Sequence, residues 1–81
     1  MKKVYLTEQA QKDLKGIASV ERFKIRKKLT ALIYDSVSGK KLTGKLTGFY
    51  SVRVWPYRII YILNKNEMWI VHVKHRKEAY K

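Results

Sequence analysis

The spacing of apolar positions changes along the chain, and each change marks an element. Val4-Tyr5-Leu6 is a short apolar run and predicts a first strand. Thr7 fits a helix N-cap with Glu8 in the first turn. Ala10, Leu14, Ile17 and Ala18 recur at helical spacing, so residues 8–18 are expected to form a short amphipathic helix, weakened near its end by Gly16. Ser19 fits a second N-cap. Residues 20–35 then predict a longer helix with Ile25, Leu29, Leu32 and Ile33 on one stripe. Val20 and Phe23 fall on a different side, where they are expected to touch the first helix. The short connection makes the pair a helical hairpin.

Residues 36–48 read as loop, punctuated by Ser36, Ser38, Gly39, Gly44 and Gly48. The tetrapeptide Lys-Leu-Thr-Gly occurs twice, at 41–44 and 45–48, too short an echo for an architectural repeat. From Phe49 the period becomes two. Tyr50, Val52 and Val54 fall on one side of a strand over 49–55, and Ser51, Arg53 and Trp55 on the other. Pro56 lacks the N–H a ladder needs and marks a turn. Residues 57–63 are apolar except Arg58, as in a central strand covered on both faces. Asn64-Lys65-Asn66 is turn chemistry, residues 68–74 form a last strand, and the tail from His75 to Lys81 is polar and basic. The order β-α-α-β-β-β predicts an α+β fold. The last three strands form a small antiparallel meander, the first strand joins the sheet edge, and the helical hairpin packs on one face. Cationic side chains are left on the other face.

Composition narrows the use of that face. With 81 residues there is room for one domain, 1–81, and one small core. The chain has 19 Lys and Arg against 6 Asp and Glu, a net charge of +13. Such self-repulsion implies a polyanionic partner, with nucleic acid as the first candidate. An acidic protein comes next. A membrane surface ranks last, because no basic segment also carries the apolar face that insertion needs. No run approaches the roughly 18 apolar residues of a span, and the N-terminal stretch lacks a signal-peptide core, so a cytoplasmic protein is expected. There are no cysteines, hence no disulfide and no thiolate metal site.

The six acids stand at 8, 13, 21, 35, 67 and 78. Metal-dependent phosphodiester cleavage needs several convergent carboxylates, which this scatter hardly supplies, so neither metal nor cofactor is expected. Arg53 and Arg58 lie on successive strands and should come close across the turn at Pro56. Arg58 interrupts an apolar strand: it is either a rim side chain reaching for water or a phosphate clamp. His72, inside an apolar strand, reads as a structural histidine. His75 adjoins Arg76 and Lys77, which disfavour a further positive charge there; it is either part of a solvated charge run or a neutral base. Tyr80 is a packed anchor, a proton donor or acceptor, or a stacking ring. Trp55, on the Arg53 side of its strand, is the best stacking candidate. RNA brings its own nucleophile, the 2′-OH. Its cleavage needs only a base, an acid for the leaving 5′-oxygen, and cations for the transition state.

The stretch Leu46-Thr-Gly-Phe-Tyr-Ser-Val-Arg-Val-Trp-Pro-Tyr-Arg-Ile-Ile-Tyr61, followed by Val71-His-Val-Lys-His-Arg-Lys-Glu-Ala-Tyr80, resembles the RelE/ParE superfamily of toxins from toxin–antitoxin pairs. Length and element order agree, so the resemblance covers nearly the whole chain. It implies a type II toxin: a ribosome-dependent, metal-independent mRNA endoribonuclease that cuts in the A site, with a cognate antitoxin that wraps and neutralises it. By position it implies that Arg53 is a basic strand residue of the active groove. Arg58 would contact the scissile phosphate, Arg76 stabilise the transition state, and Tyr80 orient or activate the 2′-OH. His75 stands where an acid or base role fits. Lys45, Ser51, Trp55, Lys74 and Lys77 are the further expected RNA contacts. Some members have a second basic residue where this chain has Ser51, and Lys45 is placed to compensate; the general base stays open between His75 and Tyr80. The basic helix residues Arg22, Lys24, Arg26, Lys27 and Lys28 suit contacts with 16S rRNA. The alternative is the ParE-like branch, which inhibits DNA gyrase without nuclease activity. The ending His75-Arg76…Tyr80 favours the nuclease. A third possibility is a non-catalytic RNA- or ribosome-binding module, for which charge alone would suffice.

Overall fold

The computed structural model describes residues 3–35, 39–42, 44 and 47–79, the side chains of Glu78 and Ala79 excepted. The elements are β1 (Lys3–Leu6), α1 (Glu8–Lys15), α2 (Ser19–Tyr34), β2 (Lys40–Lys41), β3 (Phe49–Val54), β4 (Tyr57–Asn64), β5 (Glu67–His75) and α3 (Arg76–Ala79). The expected order therefore holds, with two additions. A two-residue strand, β2, lies inside what the sequence presents as loop, and the first residues of the basic tail form a single helical turn, α3.

The five strands make one mixed sheet in the order β1-β5-β4-β3-β2. β3, β4 and β5 are the antiparallel meander. β1 joins the edge as expected and runs parallel to β5, pairing Lys3–Leu6 with Glu67–Ile70. Its direction is set by α1 and α2, which carry the chain back across one face before the meander begins.

That face is the core. Ala10, Ile17, Ile25, Leu32, Ile59, Tyr61, Met68, Ile70 and Val73 are buried together, with Leu14, Leu29, Tyr50, Val52 and Val54 packed around them. Ile25, Leu29 and Leu32 of the helical stripe and the Tyr50/Val52/Val54 side of β3 are thus where their periods place them, while Ile33 is half-buried outside this cluster. Each fully buried aliphatic of this size contributes about 1.5–3 kcal/mol. Val20 and Phe23 depart from expectation. They do not pack on α1 but stay 69% and 63% exposed, as does Tyr34 at 74%. Ala18 is also exposed and serves, rather than Ser19, as the N-cap of α2, without a side-chain hydrogen bond. β4 is central, but only its Ile59 and Tyr61 side is buried; Ile60 and Ile62 remain half-buried on the open face.

Thr7 does two jobs. Its Oγ1 accepts the Ala10 N–H at 3.2 Å, capping α1, and shares its one proton between the Ile70 and Val71 carbonyls, each at 3.1 Å. Those carbonyls mark a bulge: Tyr61 pairs with Ile70 and Ile60 with His72, so Val71 is the extra residue. Beyond Ile70, β1 has ended and the edge of β5 is open. There Asp13 of α1 takes the place of a strand, its Oδ2 accepting the Val73 N–H at 3.0 Å and lying 3.7 Å from His72 Nδ1. Gln9 steadies the carboxylate from the preceding turn at 2.8 Å. His72 is therefore structural, as its apolar strand suggests.

Gly39 enters the sheet over the Tyr61 ring. A Cβ there would collide with the Tyr61 hydroxyl and lie 3.1 Å from the Ser51 carbonyl. Burial pushes the Tyr61 phenol above its ordinary pKa, while a hydrogen bond from the Gly39 backbone pulls the other way. Gly39→Ala is expected to cost about 1–3 kcal/mol, because the fully buried Tyr61 cannot retreat. Urea unfolding of the variant checks it: an unchanged midpoint would show that the chain at Gly39 can shift away from the ring.

Candidate nucleic-acid interface

Strand alternation sends every second side chain to the face without helices. On β3 these are Phe49, Ser51 and Arg53, on β4 Arg58, Ile60, Ile62 and Asn64, and on β5 Glu67, Trp69, His72 and Lys74. Register then fixes who meets whom. Arg53 pairs with Arg58, and Arg58 with Lys74, so three cations form one row across three strands. Like charges directly opposite one another disfavour the sheet. An anion laid across the row converts that repulsion into attraction.

The row exists because of the bulge. Without the extra residue at Val71, Arg58 would pair with Val73, and Lys74 would face the helices beside Tyr57. The insertion puts Val73 in the core and Lys74 with the arginines.

Two more residues complete the group. The Arg76 N–H bonds to the Pro56 carbonyl at 2.8 Å, tying the start of α3 to the β3–β4 turn. This brings the Arg76 guanidinium over the Trp55 ring, 5.0 Å from its centroid, with Arg53 5.9 Å from the same ring. Trp55 is nonetheless 55% exposed, so part of its ring is open to a ligand. Ser51 is buried at 7% exposure beneath Lys40 and Leu42, and a hollow of about 230 Å³ lies between these residues, Arg53 and Arg58. Ser51 is thus a wall of the hollow, and Lys40, cross-strand from it, is a cation that sequence reasoning missed. The only signal for Lys40 would have been the strand pairing of β2, which is two residues long.

His75 goes elsewhere. It pairs with Tyr57, packs edge-on against that ring at 5.4 Å, and borders a pocket with Lys12, Asp13, Gly16 and Ile17 on the helix side. Its Nδ1 accepts the Lys77 N–H at 3.2 Å. The arginine row is on the other face. Lys77 is exposed at the start of α3. Tyr80 and Lys45 lie outside the described residues. Among the described residues no three His, Asp or Glu side chains gather closely enough to hold a metal ion, and no helix is long and apolar enough to cross a membrane.

Residues 4–80 match the sequence family described as the ParE toxin of type II toxin–antitoxin systems, parDE. The chain belongs to that family. The fold agrees with solved toxin structures. A chain of the RelB–RelE antitoxin–toxin complex from Methanococcus jannaschii is 25% identical with a TM-score of 0.76, covering 93% of each chain. A chain of the YoeB–YefM complex from Staphylococcus aureus is 24% identical with a TM-score of 0.78, over 93% of this chain and 97% of that one. The intact RelBE toxin–antitoxin complex of E. coli gives a TM-score of 0.81 at 16% identity, over 93% and 96%. No curated protein sequence matches. The protein is thus a toxin of the type II class with the fold of the RelE and YoeB chains. The family description carries the ParE name while these structures are RelE and YoeB toxins, so the activity has to be argued from the site.

The cation row makes a measurable claim. Binding of a short single-stranded RNA should weaken linearly in log K against log salt, and Arg53→Gln should reduce that slope by about 0.7. Because the change relieves repulsion from Arg58, thermal stability should not fall. A slope equal to that of the unsubstituted protein would remove Arg53 from the interface.

Proposed function

We propose that this toxin is a ribosome-dependent mRNA endoribonuclease that cuts in the A site by 2′-OH attack. The observation that carries the reading is the Arg53–Arg58–Lys74 row with Arg76 held over Trp55 beside it. Such a set is built for a phosphodiester whose charge grows in the transition state. In the reaction the 2′-oxygen bonds to phosphorus and loses its proton to a base. The bond to the 5′-oxygen breaks, and that oxygen takes a proton from an acid. The products are a 2′,3′-cyclic phosphate and a free 5′-OH. Arg58, central in the row and half-buried, grips the non-bridging oxygens. Arg76 adds charge at the strand end, and Trp55 offers a stacking surface for a neighbouring base. The packing of His75 against Tyr57, with Nδ1 occupied, favours Tyr80 over His75 as the residue that handles the 2′-OH.

The partner follows from charge and from relatives. At +13 the toxin needs an acidic antitoxin to be held silent. The similar RelE and YoeB chains were solved in the RelB–RelE antitoxin–toxin complex and the YoeB–YefM complex. The proposed place of action is the cytoplasm, where ribosomes are.

The ParE description favours a second reading, in which the protein inhibits DNA gyrase and cleaves nothing. A defined mRNA translated with purified ribosomes and toxin separates the two. New 5′ ends inside A-site codons are expected, and they should vanish when the cut nucleotide carries 2′-deoxyribose. Arg58→Gln and Arg76→Gln should each lower kcat by about 10²-fold with a smaller effect on KM, since both act mainly on the transition state. Absence of cleavage together with inhibited gyrase supercoiling would establish the second reading instead.

A further inference from the structure

The basic residues of α2 do not form a single patch. Arg22 and Arg26 turn toward α1, where with Lys15 they rim an apolar groove over Leu6, Leu14, Ile25 and Leu29. Lys24, Lys27 and Lys28 turn toward β3. With Ala31, Arg53 and Val54 they line a separate cleft of about 350 Å³. Positions i, i+3 and i+4 share one helical face, so the three lysines point together. Arg53 and Val54 border the hollow from the edge of β3, so helix and sheet meet there, while the Arg53 guanidinium lies toward Trp55 on the open face.

Little neutralises this charge. Glu21 lies 3.5 Å from Lys24, an exposed pair of small worth. Among the described residues no carboxylate is within ion-pair distance of Lys27, Lys28 or Arg53. One exposed aromatic ring stands next to the lysines on α2, and another lies around the edge of β3 on the open face. Lys27 lies 5.8 Å over the ring of Phe23, which is 63% exposed. Arg53 leads to Trp55, which is 55% exposed. Exposed rings beside cations are what a nucleic acid with unstacked bases can use, because bases stack on the rings while phosphates meet the lysines. A duplex hides its base faces and gains only the charge.

We propose that the α2–β3 cleft is a second binding site for single-stranded RNA. It would hold the strand flanking the arginine row, with Phe23 and Trp55 as base platforms and Lys24, Lys27 and Lys28 as phosphate contacts. Its place beside a cut rests on the nuclease reading; its existence does not. The direct test is fluorescence anisotropy with a labelled ten-nucleotide 2′-O-methyl RNA, which cannot be cleaved, against the matched duplex, without ribosomes. The double variant Lys27→Gln/Lys28→Gln should weaken single-strand binding about tenfold and lower the salt slope by about 1.4. Phe23→Ala should weaken it by a similar factor and leave duplex binding unchanged. All are surface changes, and a thermal melt of each variant confirms the fold. Single-strand binding equal to that of the unsubstituted protein in the double variant overturns the proposal. So does loss of binding to an acidic partner protein alone, which would give this face to protein. Equal weakening for single strand and duplex, with no effect of Phe23→Ala, also overturns it, leaving only unspecific charge. If ribosomal cleavage is absent while the double variant loses oligonucleotide binding, the nuclease reading falls and the cleft stands; the reverse outcome removes the cleft alone.

Discussion

One extra residue in β5 sets the working surface of this protein. At Val71 the ladder slips by one, and from that point inner and outer faces exchange. The slip is held rather than tolerated. Thr7 bonds the carbonyls on both sides of it, and Asp13 closes the edge of β5 that β1 is too short to reach. Both side chains belong to α1 or its cap, so the helix that covers the core also fixes the register of the strand end. Lys74 meets Arg58, and Arg76 reaches Trp55, because of contacts made on the far side of the sheet.

The legible parts of the sequence were those governed by period alone. The stripe Ile25, Leu29, Leu32 on α2 and the division of β3 into Val52/Val54 and Ser51/Arg53 sides needed only the spacing of apolar residues. Arg53 opposite Arg58 followed from a two-residue turn at Pro56. What was not legible depended on pairing between distant segments. From Met68 and Ile70, strict alternation carries His72 and Lys74 to the core face and frees Val73 and His75. The bulge reverses this, and its determinants are Thr7 and Asp13, about sixty residues away. His75 was therefore easy to group with Arg76 in sequence although their side chains part in space. Val20 and Phe23 misled for a different reason: apolarity predicts burial only when a surface is there to receive it, and α1 ends at Lys15.

The row of cations and the smallness of the core pull against each other. Three like charges in register weaken a sheet packed on a small core, nine buried hydrophobic side chains among the described residues. The repulsion is confined to one face of β3, β4 and β5, however, and the opposite face of the same strands is the best-packed part of the molecule, with Ile59, Tyr61, Met68 and Ile70 fully buried. Each strand thus pairs a destabilising side with a stabilising one. Binding an anion relieves the first without disturbing the second, so a polyanionic partner should stabilise the fold as well as occupy the site.

That two-sidedness explains how an architecture persists while sequences diverge. A TM-score of 0.81 at 16% identity means that most positions can change while the strands keep their places. The helix-covered face has to preserve volume and apolarity, a condition many residue sets meet. The open face has no such duty, and its chemistry is free to be set by the target. Family and fold therefore identify a toxin, and the target is written in the residues that alternate away from the core. In this chain those residues are Arg53, Arg58 and Lys74, joined at the strand ends by Trp55 and Arg76, a set whose geometry suits a phosphodiester backbone.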